Sequence, residues 1–182
     1  MKYSLEILRR QVEAGQAVEY FHFWGHTPKQ AGRVDKSCLS QWFPASFEVD
    51  GVTYLTAEHW MMAHKALLFG DREAFEEVIS CIKPAVAKEI GRKVRNFDDT
   101  TWKEKRYAIV VEGSYHKFSQ HEDLRQFLLY TGQKIIVEAS PRDRIWGIGM
   151  GQNNPDVMNP FKWRGGNLLG FALMEARDRL LS

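Results

Sequence analysis

Apolar residues recur at helical spacing over several stretches of this chain and gather elsewhere into short aromatic or β-branched runs. Leu5 to Ala14 reads as a short amphipathic helix, with Ser4 at the N-cap position and Gly15 past the end. Tyr20 to Trp24 is an aromatic strand stopped by Gly25, and His26 to Ser37 is polar and glycine-containing, so a loop. Ser46 to Val49 and Val52 to Leu55 flank Asp50-Gly51, which predicts a hairpin because glycine accepts the positive φ of a type I′ turn. Thr56 caps a helix running to Phe69, with Gly70 available for a left-handed end. Asp71 caps a second helix reaching Cys81, and Pro84 opens a third that ends near Gly91. Two capping boxes follow: Thr101 with Glu104 before a helix to about Phe118, and Ser119 with Glu122 before a helix to Tyr130. Lys134 to Ala139 is a β-branched strand, and Asn167 to Leu181 is an amphipathic C-terminal helix. No internal repeat, linker or low-complexity tract interrupts the series. The pattern predicts a single compact, helix-rich α+β domain with a small β component over residues 1–182.

One stretch has neither period. Ser140 to Gly166 reads SPRDRIWGIGMGQNNPDVMNPFKWRGG. A structureless run longer than roughly 12–15 residues inside a domain is functional or disordered. Disordered segments lack the apolar surface needed to offset chain entropy. Trp146, Met150, Phe161 and Trp163 supply such surface. The segment is therefore expected to be an ordered loop whose polar side chains face a ligand.

Composition narrows the class. Hydrophobic residues make up 44% and charged residues 26%, as in an ordinary soluble protein. A formal net charge of +2 is too small to favour a nucleic-acid substrate, though a local basic patch stays compatible with it. Cys38 and Cys81 have no CxxC spacing, and no apolar run is long enough to span a membrane, so a cytoplasmic protein with reduced thiols is expected. No metal or cofactor is expected either. His22 and His26 are interrupted by Trp24-Gly25, His59 and His64 do not share a helix face, and Gly147-Ile148-Gly149-Met150-Gly151 is not a dinucleotide fingerprint. These glycines are read instead as letting backbone amides approach a phosphate or ribose.

The helix capped by Thr56 carries the strongest local chemistry. Glu58, Met62, Lys65 and Phe69 fall on one stripe at about 100° per residue. A lysine desolvated there becomes a nucleophile, and a glutamate moves toward the general-acid range. A solvated face with an incidental Glu and Lys is the plainer alternative. Asp143 lies just past a strand end, where it either acts on a ligand or caps a turn. Arg142, Arg144 and Arg164 are candidate phosphate ligands, with surface solvation as their alternative.

Three separated segments, GVTYLTAEHWMMAHKA, SPRDRIWGIGMG and WRGGNLLGFALMEAR, occur in an order that resembles the NADAR superfamily with its YbiA-like riboflavin-intermediate N-glycosidases. The similarity begins near Phe21-His22-Phe23-Trp24-Gly25 and runs to Arg177. It implies a helix-rich α+β fold and hydrolysis of an N-glycosidic bond. The implied substrates are phosphorylated aminopyrimidine ribosylamines of the riboflavin pathway or, in other members, ADP-ribose attached to guanine. Glu58 and Lys65 then match the family's EH…KA helix, and Asp143, Trp146 and Asn167 its C-terminal pocket motifs. Phe23, Trp24, Gly25, Gly147 and Arg164 join Trp146 and Asn167 as expected substrate-binding residues, with Trp24 or Trp146 stacking on the base and Arg164 holding phosphate. Some members carry WGDG where this chain has Trp146-Gly147-Ile148-Gly149, so a role for that aspartate does not transfer.

Two routes fit these residues. Lys65 can attack the sugar C1 and form a Schiff base, with Glu58 moving the proton and Asp143 orienting the lysine or the ribose. Alternatively, Glu58 or Asp143 activates water against an oxocarbenium-like centre. A module that binds ADP-ribose or NAD without turnover is the reading from another class, and the Glu58–Lys65 pair weighs against it.

Overall fold

The computed structural model describes residues Met1–Ser182. Its seven helices and two small two-stranded sheets bear out the helix-rich α+β expectation. The chain divides into two compact units, one formed by Met1–Ser40 with Asp123–Ser182 and the other by Gln41–Glu122.

In the first unit, α1 (Leu5–Glu13) starts at Ser4, whose hydroxyl accepts from Ile7 N. Strand β1 (Tyr20–Phe23) pairs in parallel with β4 (Ile135–Glu138), Tyr20 opposite Ile135 and Phe23 opposite Glu138. A parallel pair needs a long crossover. The second unit and α6 (Glu122–Tyr130) provide it here. Ile135, Ile136 and Val137 are all buried, as expected of a strand covered on both faces. Phe21 meets Phe127 of α6 edge-on at 6.0 Å, while Tyr20 meets Trp163 at 5.8 Å. C-terminal helix α7 (Leu168–Leu181) packs on β4 with its backbone close in, because Gly170 has no side chain. A methyl at Gly170 would lie inside the contact radius of the Ile136 carbonyl oxygen.

In the second unit, β2 (Phe47–Val49) and β3 (Val52–Tyr54) form the expected hairpin. Asp50 and Gly51 have φ of 51° and 78°, the two positive values that a type I′ turn requires. Helix α2 (Ala57–Leu68) is the centre of this unit, with eight of its residues buried. It packs against α3 (Arg72–Ser80), α4 (Pro84–Arg92) and α5 (Asp99–Ser119). Trp60 anchors the packing. It is 5% exposed, donates its Nε1–H to Ile109 O of α5 at 2.8 Å, and stacks on His64 with ring centres 3.6 Å apart. His59 is fully buried and joins Thr56 Oγ1 at 2.8 Å to the Cys81 carbonyl at 3.1 Å, so it ties the start of α2 to the end of α3.

Three local readings need correction. Residues Lys36–Leu39, at the end of the expected loop, form a 3-10 turn capped by Asp35. The capping residue of α5 is Asp98, whose carboxylate accepts from Thr101 N at 2.7 Å, so the Thr101–Glu104 box is not the start of that helix. Ser119 lies in the last turn of α5 with its hydroxyl on His116 O, and so does not cap α6.

The close approach of α7 to β4 gives a direct test. Gly170→Ala is expected to cost about 1–3 kcal/mol through overpacking, read as a lower urea midpoint. Gly151→Ala, where a methyl meets nothing within 4 Å, is expected to change stability by less than about 0.5 kcal/mol.

Candidate active site

The expected site residues fall into two groups, one in each unit. In the second unit, Glu58 and Lys65 lie seven residues apart on α2, roughly 10.5 Å along its axis and on one stripe with Met62. Glu58 is 3% exposed, and its amide donates to Gln41 O at 2.9 Å. The Lys65 side chain folds toward the end of α4, where Nζ donates to the Gly91 carbonyl at 2.7 Å. Nζ also lies 4.2 Å from the centre of the Phe97 ring and 5.4 Å from that of Trp102. Burial pushes the Lys65 ammonium below the ordinary lysine value of 10.5. Gly91 is bare because Met62 fills the space where its side chain would be.

Sequence reading missed the parts that surround Lys65. Phe97 follows Asn96, which holds a positive φ of 56° in the turn between α4 and α5. Asp71 pins that turn. Its carboxylate caps α3 through Ala74 N and accepts from Arg95 N at 2.8 Å, Nε at 3.1 Å and Nη2 at 2.6 Å. These bonds, the Arg95 side chain first, hold the Asp71 carboxyl at about 2. The only signal in the sequence was Asp71 itself, legible as a helix cap but not as a clamp on residues far along the chain.

In the first unit, β1 and β4 end side by side, with Ala139 N donating to Phe23 O at 2.9 Å. Trp24-Gly25 leaves one strand there and the Ser140–Gly166 segment leaves the other. Binding loops of parallel sheets commonly leave at this carboxyl end. Trp24 is 58% exposed and Trp146 half-buried, while Arg164 projects to solvent. Phe23, the last residue of β1, is fully buried. Asp143 Oδ1 accepts from Ile145 N at 2.8 Å and Trp146 N at 2.7 Å, so this carboxylate builds the turn that presents Trp146.

The long segment is ordered by its own backbone. Ile148 N donates to Glu138 O and Gly149 N to Asp143 O, at 3.0 and 2.9 Å. Within the Gly147–Gly151 stretch, whose amides were expected to approach a phosphate or ribose, these two are taken by the main chain. The bare α-carbons of Gly147 and Gly165 let strand end and loops approach. A methyl on Gly147 would lie 2.9 Å from Glu138 O, and one on Gly165 would strike the Gly147 carbonyl. Helix α7 begins inside this mesh. The amides of Gly166, Asn167, Leu168 and Leu169 donate to the carbonyls of Arg144, Gly147, Ile145 and Trp146, so loop carbonyls satisfy the orphan donors of the helix start.

Asn167 is fully buried in a left-handed conformation, φ 53°. Its Oδ1 accepts from Glu138 N at 3.0 Å and its Nδ2 donates to Ile136 O at 2.9 Å. The carboxamide thus pairs with the free edge of β4 as a third strand would. Its contribution is to hold the strand end from which the loop departs.

A model of the NADAR domain matches residues 22–181. The N-glycosidase R617 of Acanthamoeba polyphaga mimivirus is 46% identical over 165 residues, covering 88% of this chain and 95% of its own. N-glycosidase YbiA of Escherichia coli is 33% identical over 133 residues, 73% of this chain and 74% of that one. The NMR structure of E. coli YbiA superposes with a TM-score of 0.71 at 28% identity, covering 90% and 85% of the two chains. The fold and its loops therefore define a YbiA-like protein. The chain belongs to the NADAR family. The enzyme class expected from its motifs, an N-glycosidase, is the class its relatives carry over most of their length.

Asn167→Ala leaves the Glu138 amide and Ile136 carbonyl without their buried partner. A loss of about 1–3 kcal/mol is expected for each orphaned group, measured by chemical denaturation.

Proposed function

We propose that this enzyme hydrolyses the N-glycosidic bond of a phosphorylated ribosylamine intermediate of riboflavin biosynthesis, releasing ribose 5-phosphate and an aminopyrimidine, through a Schiff base on Lys65. The environment of Lys65 carries the reading. An amine pressed against Phe97 and Trp102, with its ammonium disfavoured by burial, carries a larger neutral, nucleophilic fraction at a given pH than a solvated lysine does. The Gly91 carbonyl aligns it through one N–H and leaves the nitrogen lone pair for attack.

The ring-opened ribosylamine is an imine at C1. Lys65 Nζ adds to that carbon, and Glu58 delivers a proton to the pyrimidine amine as its C–N bond breaks. The product is an imine between Lys65 and the sugar. Water adds to it, the carbinolamine collapses, and ribose 5-phosphate leaves with the lysine regenerated. A role for Asp143, which lies in the other unit, in orienting the ribose rests on the family motif match alone. By the same match Phe23, Trp24, Gly25, Trp146, Gly147, Arg164 and Asn167 are this reading's substrate-binding residues, with Trp24 or Trp146 for the base and Arg164 for the phosphate. No metal or cofactor enters any step.

The test is release of ribose 5-phosphate from the aminouracil ribosylamine phosphate, with borohydride added to trap the imine. The parent protein is expected to release sugar and gain the mass of a reduced sugar adduct on Lys65. Lys65→Ala should give neither, and Glu58→Gln should lose roughly 10²–10⁴ in kcat. The neutral amine is the reactive form, so kcat/KM is expected to rise as pH passes a value below 10.5 and to fall on acidification. Release that persists in Lys65→Ala would contradict the covalent route in favour of carboxylate-activated water. A parent protein that releases nothing would contradict the substrate.

A further inference from the structure

The unit containing β1 and β4 has a recess at the opposite end of the strand pair from Trp24 and Asp143. Its walls include Val18 and Glu19, which lead into β1, and Lys134 and Ile135 at the start of β4. Strands of four residues separate the two ends by roughly 13 Å. The cavity holds about 620 Å³, within the ~300–1,000 Å³ typical of small-molecule pockets. It shares no lining residue with the candidate active site.

Three features define what such a cavity accepts. The first is charge. Arg177 lines it and is 2% exposed, and its Nη1 donates to two neutral acceptors, Thr131 Oγ1 at 2.8 Å and Lys134 O at 3.1 Å. Its sequence neighbour Asp178 is already engaged, by Lys2 Nζ at 2.5 Å and by Tyr3 OH at 2.7 Å. Lys134 and Glu19 face each other at 3.6 Å and offset one another. Asp178 offsets part of the Arg177 charge, but that one carboxylate also serves Lys2, so an anionic ligand group remains favourable beside a guanidinium taken out of water.

The second feature is a flat apolar face. Tyr130 ends α6 at this cavity with 79% of its surface exposed, an unusual position for a ring of that size. The third is hydrogen-bonding capacity. Gln11, Gln16 and Gln133 all line the cavity, and each carboxamide offers both donors and an acceptor to the edge of a planar heterocycle.

We infer that this cavity is a second ligand site, for a small planar heterocycle bearing one anionic group, as in a nucleoside monophosphate. The ring lies against Tyr130, the glutamine carboxamides read its edge, and the anion is directed toward Arg177. The site stands whether or not the reading of Lys65 holds.

The test is an amide NMR titration of the full chain with UMP and AMP, and separately with uridine and inorganic phosphate, up to about 10 mM, tenfold above a Kd of about 1 mM. The nucleotides are expected to shift residues 16–19 and 130–135 and to bind more tightly than either fragment. Trp24→Ala should leave these shifts unchanged, while Tyr130→Ala and Gln133→Ala, both surface changes, should each weaken binding, Tyr130→Ala by about tenfold or more. Shifts that are absent or confined to residues near Trp24 and Trp146 would overturn the inference. So would equal affinity for phosphate alone, or unchanged affinity in Tyr130→Ala.

Discussion

Two strands leave a sheet with two bare edges, and on β4 one of those edges is closed by the carboxamide of Asn167. Glu138 N and Ile136 O point away from β1, and a single side chain supplies the complementary acceptor and donor. Ile148 N completes the same edge by donating to Glu138 O. Buried backbone groups must find partners, so the segment carrying Asn167 and the segment carrying Ile148 are both drawn to this line. Asn167 can reach both groups because its left-handed backbone turns the chain into α7 at that point. Gly170 then lets the helix lie close enough for the bonds to form. The order of the non-repetitive loops follows from this edge.

The second unit arranges an opposite kind of contact, around a charge. Three effects act on the Lys65 amine. Cation–π contact with Phe97 favours the ammonium, by about 0.5–1 kcal/mol for a ring as open as this one, which is 44% exposed. A hydrogen bond to the Gly91 carbonyl adds to that. Removal from water disfavours the charge and prevails, so the pKa moves down. The aromatic rings therefore hold the lysine in place without fixing its proton. The Asp71–Arg95 pair matters to this balance because it sets the turn that carries Phe97.

Much of this architecture was legible in the sequence where the determinants are local. Asp50-Gly51 announces its turn, Thr56 and Asp71 announce helix starts, and the stripe of Glu58 and Lys65 follows from helical geometry alone. Helix starts failed where two capping residues compete: Asp98 precedes Thr101, and the earlier residue captures the Thr101 amide. The loop was recognisable as ordered from its aromatic content. Its wiring was not, because carbonyls of residues 144–147 meet amides of residues 166–169 through contacts that no local pattern encodes. For the same reason Asn167 gave no sign that its carboxamide pairs with β4, and Gly91, Phe97 and Trp102 gave none that they surround Lys65. The family motifs were specific because three of them appear in order, a property of the whole chain rather than of any one site.

The proposed covalent route depends most directly on the state of the Lys65 amine. Labelling the lysines by ¹³C-methylation, assigning the Lys65 signal with Lys65→Arg and following its shift with pH would read that state directly. The covalent route requires a titration midpoint clearly below 10.5, moving back toward that value when Phe97 and Trp102 are replaced by smaller polar residues. A midpoint at or above 10.5 in the parent protein would contradict it.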